Sequence, residues 1–186
     1  MSTVPVSPLW IDTDFGFDDL WALLVLRHLG ANVAGISLVA GNAPLTQVIS
    51  NALGARQAYG FDAPIYEGAD RPLVRDLETA ERILGPRGML SRGQYLPDGH
   101  GETEPQDANT ALKTWLSSAK DPERRDILAI GPLTNIARIV QETPDLAAKI
   151  TRIIWMGGSD GAGNHSAQAE FNALADPEAA AIVAGA

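Results

Sequence analysis

Asp12, Asp14, Asp18 and Asp19 put four carboxylates into eight residues, within the stretch Ile11-Asp12-Thr13-Asp14-Phe15-Gly16-Phe17-Asp18-Asp19. Like charges at this spacing repel one another unless a cation gathers them. Oxygen-only donors suit a hard ion, Ca²⁺ or Mg²⁺, better than zinc. The competing use is helix capping, because Asp18 or Asp19 would answer the unpaired N–H groups and the dipole of a first helical turn. Capping needs one or two carboxylates and leaves Asp12 and Asp14, upstream of any such helix, unexplained. The cluster therefore reads as a metal-centred site.

The elements that must hold this cluster are legible on either side of it. The apolar run Leu9-Trp10-Ile11 precedes it and Leu20-Trp21-Ala22-Leu23-Leu24-Val25-Leu26 follows, so it occupies a strand–turn–helix junction with Gly16 in the turn. Val33 to Val39 reads as a buried strand, and the helical spacing of Leu45, Val48, Ile49, Ala52, Arg56 and Tyr59 stops at Gly60. Pro64-Ile65-Tyr66 predicts a short third strand. Ala108, Ala111, Leu112, Trp115, Leu116 and Ala119 form a helical stripe with Asp107 as its N-cap. Ile127 to Ile130 reads as a strand, followed by a helix carrying Leu133, Ile136, Ala137 and Val140 with Pro132 in its first turn. Ile153 to Met156 is a further strand, ended by Gly157-Gly158.

Alternating strands and helices with near-continuous apolar strands predict an α/β fold, doubly wound, with a mostly parallel sheet and helices on both faces. Two long polar segments interrupt it, 67–106 and 157–172, the first holding a short helix near Leu77 to Leu84. Loops this long in a compact domain carry function or move. Asp176-Pro177-Glu178 starts a last helix that runs to Ala186 with no further strand to pack on. Residues 1–186 thus read as a single α/β domain, incomplete at its C-terminus. An unfinished sheet makes self-association into a homo-oligomer an expectation.

Composition narrows the partners. The 186 residues suffice for one sizeable core, and 45% are hydrophobic. Fourteen Lys and Arg against 23 Asp and Glu give a net charge of −9 with no basic cluster, which speaks against nucleic acid. The absence of cysteine excludes disulfides and thiolate metal sites and suits a reducing compartment. The opening Met-Ser-Thr-Val-Pro-Val-Ser-Pro lacks the basic region and apolar core of a signal peptide, and no apolar run approaches the roughly 20 residues of a membrane span. A cytoplasmic protein without a membrane partner is expected.

In a doubly wound parallel sheet, ligands bind at the carboxyl ends of the strands. Asp12 and Asp14 follow the first strand and Gly41-Asn42 the second. Ile130-Gly131-Pro132 follows another, and Met156-Gly157-Gly158 opens the loop that carries Asn164, Glu170 and Asn172. Carboxylates and amides without basic residues suit a neutral polyol such as a sugar, whereas a phosphate would recruit Arg, Lys or a Gly-rich helix start. Asn42 and Asn164 also fit plain turns beside their glycines. Glu170 and Asn172, set among apolar neighbours, would need partners if buried. His100, in Asp98-Gly99-His100-Gly101-Glu102, is a candidate substrate contact. His28 reads as structural and His165 as a loop residue without a role.

The motifs together resemble a known family. Asp12-Thr13-Asp14-x-Gly16-x-Asp18-Asp19, Gly41-Asn42, Gly131-Pro132-Leu133-Thr134-Asn135, Met156-Gly157-Gly158 and Ala169-Glu170-Phe171-Asn172-x-x-x-Asp176-Pro177-Glu178 resemble the inosine–uridine-preferring nucleoside hydrolases. The resemblance implies hydrolysis of the N-glycosidic bond of ribonucleosides at one Ca²⁺, in purine and pyrimidine salvage. By position it implies that Asp14, Asp19 and the main-chain carbonyl of Ile130 bind the metal and that Asp18 is the general base for water. It assigns Asn42, Asn164, Glu170 and Asn172 to the ribose hydroxyls and makes Asp12 a supporting carboxylate. Two departures stand out. Phe15 takes the place of the family's usual proline, and the family's C-terminal part, with a further Asp ligand and often a His near the leaving base, is absent. A chain of these residues alone is expected to bind metal weakly and to turn over little.

Two rival readings remain. A haloacid-dehalogenase-like phosphatase also opens with Asp-x-Asp after its first strand, but it has no use for Gly16 or for paired Asp18-Asp19. A nucleoside- or sugar-binding remnant of the hydrolase fold needs the same residues without turnover.

Overall fold

Strands that are apolar on both faces must be covered on both, and the computed structural model, which describes residues 7–89, 92–120 and 123–186, shows how this chain does it. The expectation for the N-terminal segment falls largely on residues 1–6 and lies outside the described residues. Five parallel strands, β1 (Leu9–Thr13), β2 (Val33–Leu38), β3 (Ile65–Glu67), β4 (Asp126–Ala129) and β5 (Arg152–Trp155), lie in the order β3-β2-β1-β4-β5. The most sheltered strand is therefore the one that ends in the acidic cluster. Leu9 pairs with Val33 on one side and with Asp126 on the other. Doubly wound α/β architecture is confirmed.

Helices α1 (Phe17–His28) and α2 (Leu45–Tyr59) pack on one face. Their Leu20, Leu23, Val48 and Ala52 are buried with Ile11, Ile36 and Leu38 of the sheet. On the other face lie α4 (Ala108–Ser117), α5 (Thr134–Glu142) and the last helix, α8 (Pro177–Ala184), with Leu112, Leu116, Ile136 and Ile139 buried against Trp10 and Ile127. The two-residue period of a strand sends Trp10 to one core and its neighbour Ile11 to the other. Trp10 stacks on Tyr66 at 5.5 Å and donates from Nε1 to Ser37 Oγ at 2.9 Å, which satisfies its polar edge in the core.

The short elements depart from expectation. The helix expected near Leu77 to Leu84 is the single turn α3 (Glu81–Leu84), and α6 (Pro144–Ala147) was not foreseen. The polar segment expected to run through Asn172 ends earlier, at α7 (Phe171–Ala175). Glu170 is the N-cap of this helix and accepts from the Asn172 and Ala173 amides. Among the described residues, no helix is long and apolar enough to cross a membrane.

Strand order reverses between β2 and β4 around β1. The loops leaving β1 and β4 consequently diverge to opposite faces and open a crevice at their carboxyl ends.

Candidate functional site

Asp14 follows β1 directly and lies in this crevice, 1% exposed. Its Oδ2 accepts from the Asn42 amide at 2.7 Å, while its Oδ1 is buried with no hydrogen-bond partner in the described structure. Burial, then the charges of Asp19 and Asp18, hold its carboxyl well above the usual range. The backbone closes tightly around it. A Cβ at Gly41 would collide with the Asp14 carboxylate, and a Cβ at Gly131 would lie 2.9 Å from the Asp14 amide. Glycine is required at 41 because a carboxylate fills the space a side chain would take.

Asp19 serves both uses weighed from the sequence. It sits at the third position of α1, and its Oδ2 accepts from the Gly16 amide at 2.8 Å, the capping role. Its Oδ1 accepts from Thr13 Oγ1 at 2.5 Å. Fully buried and close to Asp18, Asp19 has a carboxyl pushed up to about 7, with burial the larger cause. Asp18, one residue earlier, is exposed and forms no hydrogen bond or ion pair among the described residues. Phe15 permits this turn by adopting φ +46°, a region sparse for residues with a Cβ, and buries its ring beside Leu20 and Met89. A proline, fixed near −65°, could not take that conformation.

Asp12 lies below the crevice and does not line it. Its Oδ1 accepts from Ser37 Oγ and, at 2.8 Å, from Asn135 Nδ2, and burial raises its carboxyl to about 6. Asn135 is a hub that sequence reading passed over: it also donates to the Leu38 carbonyl at 3.0 Å and accepts from the Ala69 amide at 2.9 Å. These bonds tie the ends of β1 and β2 to the segment after β3. The only available signal was its place in Gly131-Pro132-Leu133-Thr134-Asn135.

A cleft of about 430 Å³ opens over these residues. Asp14, Asp18 and Asn42 line it from the β1 and β2 ends, Ile130 and Met156 from the β4 and β5 ends, and Asn164, Glu170 and Asn172 from the last long loop and α7. Asn172 Nδ2 donates to the carbonyls of Met156 at 2.9 Å and Ile130 at 3.2 Å. Asn164 Oδ1 accepts from the Phe171 amide at 2.8 Å, leaving its amide group free for a ligand. Glu170 is half-buried and also accepts from the Gly158 amide at 2.9 Å. Eight residues singled out by type and position thus meet in one cleft. His100 does not join them. It is exposed on a segment whose Gly99 abuts Ser50 and Leu53 of α2, away from the crevice. His165, read as a residue without a role, lines the cleft instead.

Among the described residues, no three His, Cys, Asp or Glu side chains converge with metal-ligating geometry. Two buried carboxylates, one with an orphaned oxygen, and no neighbouring base nevertheless make a donor set that a hard cation fits.

Similarity to known proteins agrees with this geometry. Residues 9–186 match the family model of the inosine-uridine preferring nucleoside hydrolases. An uncharacterized protein of Schizosaccharomyces pombe is 40% identical over 176 residues, covering 94% of this chain and 52% of that protein. The non-specific ribonucleoside hydrolase RihC of Salmonella newport is 38% identical over 174 residues, covering 93% of this chain and 56% of the other. Among solved structures, a plant nucleoside hydrolase, PpNRh1, superimposes with a TM-score of 0.85 at 31% identity, over 96% of this chain and 57% of that one. The chain spans about half the length of the curated relatives it matches.

Proposed function

The chain belongs to the inosine-uridine preferring nucleoside hydrolase family, and from that premise we propose that its protein hydrolyses the N-glycosidic bond of ribonucleosides with the help of Ca²⁺. The observation that carries the proposal is the pairing of Asp14, buried with an orphaned oxygen, with Asp18, exposed and unpaired a few residues on in the same cleft. A haloacid-dehalogenase-like phosphatase is not sustained, because the family is a different one.

Asp14, Asp19 and the main-chain oxygen of Ile130 would hold the cation. When bound, Ca²⁺ would offset the buried negative charge and supply the Lewis acidity that makes water a better nucleophile. The chain's own residues account for the rest. Asp18 stands at the cleft with both oxygens available and takes the proton of the attacking water as general base. The free amide of Asn164 and the side chain of Asn42 face a polyol with donors. Glu170 spends part of its acceptor capacity on the Gly158, Asn172 and Ala173 amides, which fixes its carboxylate and leaves room for one sugar hydroxyl. Asn172 donates its Nδ2 to the carbonyls of Met156 and Ile130, which orients its side chain and leaves Oδ1 to accept from a ribose hydroxyl. Holding the sugar in this way favours its reactive pucker over the relaxed one. The small-molecule partner is therefore a ribonucleoside. A cytoplasmic location belongs to the same proposal, supported by the absence of cysteine.

Ribose release from inosine and uridine by the full-length protein tests the reading. Asp18→Asn is expected to lower kcat by roughly 10²–10⁴-fold with little change in folding. Chelation of calcium is expected to abolish turnover. Binding of nucleoside without ribose release by the wild type would instead identify a binding remnant.

A further inference from the structure

A second cleft, of about 350 Å³, opens at the amino edge of the sheet, where β2 and β3 begin and away from the acidic crevice. Its floor is apolar and reaches the core, for Leu23 of α1 and Ile36 of β2 line it, 3% and 1% exposed. Val33, Phe61, Ala63 and Pro64 add apolar walls. The walls belong to the two connections that leave α1 and α2, and each turns on a left-handed glycine, Gly30 at φ +68° and Gly60 at φ +66°. Their backbone is tied down on both sides. The Asn32 carbonyl accepts from the Leu9 amide at 2.8 Å, Pro64 from the Ile36 amide at 2.9 Å, and Ala63 from Arg56 Nη2 at 3.2 Å.

Two opposite charges line this cleft and do not meet. Arg27, in the last turn of α1, donates from Nη1 to the Tyr59 carbonyl at the end of α2 and makes no other hydrogen bond among the described residues. Asp62, exposed on the other connection, makes neither a hydrogen bond nor an ion pair among the described residues. Neither a simple anion nor a simple cation answers both groups. We propose that this cleft binds a zwitterion with an apolar body, a free α-amino acid with an aliphatic or aromatic side chain. Its carboxylate goes to Arg27, its ammonium to Asp62, and its side chain to the floor of Leu23 and Ile36.

Size and polarity agree with that class. Small-molecule sites hold roughly 300–1,000 Å³, mostly apolar, with a few polar groups that fix orientation. A guanidinium with free N–H groups matches a carboxylate in both charge and shape. The C-terminal ends of α1 and α2 both open here, and their partial negative charge favours an ammonium beside Asp62. A nucleoside carries no such pair of charges, so this seat is not a second copy of the first cleft. Arg27 and Asp18 lie nine residues apart on α1, about 14 Å along its axis, so a ligand here does not touch the acidic crevice. The inference needs neither the cation nor turnover and stands apart from the hydrolase reading.

Titration of the full-length protein with L-phenylalanine, followed by NMR, tests the assignment. Saturable binding at about 1 mM or tighter is expected, with shifts in the backbone amides of Ala31 to Val33 and Gly60 to Ala63. Three analogues each lack one part of the ligand: L-phenylalanine amide the carboxylate, N-acetyl-L-phenylalanine the ammonium, and glycine the side chain. Each is expected to bind at least about 10-fold more weakly. Asp62→Asn and Arg27→Gln are expected to weaken L-phenylalanine by about 10–100-fold. Ala63→Leu, which fills the cleft, is expected to remove binding while circular dichroism shows the fold kept. Asp62 is exposed and bonds to nothing described, so Asp62→Asn reads the charge without disturbing the walls. No saturation by about 10 mM, analogues that bind as tightly as the parent, shifts confined to the acidic crevice, or indifference to Asp62→Asn overturns the proposal.

Discussion

Asp14 shows how one residue can be costly to the fold and central to the proposed site. Its carboxylate is buried, its Oδ1 has no partner, and two more carboxylates raise its proton affinity. A side chain selected for stability alone would not be acidic here, because an unpaired buried polar atom carries a penalty of about 1–3 kcal/mol. The surrounding backbone is fitted to it, with Gly41 against the carboxylate and Gly131 against the amide. Gly41→Ala is therefore expected to displace Asp14 and weaken Ca²⁺ binding by about 10–100-fold, as loss of an orienting neighbour does at other metal sites. Isothermal titration gives the affinity and circular dichroism checks that the fold is kept. Unchanged affinity in a folded variant would show that the Asp14 carboxylate does not hold the ion. Thr13 belongs to the same setting, since its hydroxyl donates to Asp19 and also accepts from the Phe15 amide at 3.0 Å.

At the scale of elements, the helix ends carry the coupling between site and scaffold. Asp176 is fully buried at the start of α8, where it accepts from the Ala179 amide at 3.0 Å, the Leu73 amide at 2.9 Å and Thr134 Oγ1 at 2.7 Å. One carboxylate thus joins α8, α5 and the segment after β3. Asp176→Ala removes a cap worth about 0.5–2 kcal/mol and strands buried donors at about 1–3 kcal/mol each. Chemical denaturation is expected to show a loss of at least about 3 kcal/mol, against about 1 kcal/mol for Asp107→Ala at the exposed cap of α4. Equal losses would mean that Asp176 acts only as a local cap. Both caps were legible in the sequence, as were all five strands, because Asp before a helical stripe and unbroken apolar runs are local signals. Elements of four or five residues, α6 and α7, carry no periodicity, so Glu170 read as a buried functional acid rather than as the half-buried cap it also is. His165 was illegible for a different reason. Its Nε2 lies 2.9 Å from Oε1 of Glu78, a residue of the other long polar segment, and only the fold of the sheet beneath brings the two loops together.

For the whole molecule, three buried acids at one sheet edge make stability depend on pH, and the proposed calcium site would tie that dependence to the ion. Burial raises Asp12 from 3.8 to about 6 and Asp19 from 3.8 to about 7, and Asp14 is raised as well. The native state thus holds protons that the unfolded chain has released. Stability from these groups is complete below about pH 3.8 and is lost as pH rises through 6 and 7. Asp107 and Glu142, whose carboxyls are lowered by hydrogen bonds from Thr110 and Lys113, act in the opposite sense, but their window lies below the ordinary 3.8 and 4.5. Between pH 5 and 8 the buried acids therefore set the slope. A divalent cation held at the proposed site would compete with those protons and bind the folded form, so its stabilisation should grow as they leave. In EDTA the thermal midpoint is expected to fall from pH 5 to pH 8. Millimolar Ca²⁺ is expected to raise it little at pH 5 and by several degrees at pH 8, and Asp19→Asn to flatten both trends. A midpoint that rises with pH in EDTA, or a calcium shift equal at both ends, would mean that these acids are neither protonated in the free protein nor relieved by the ion.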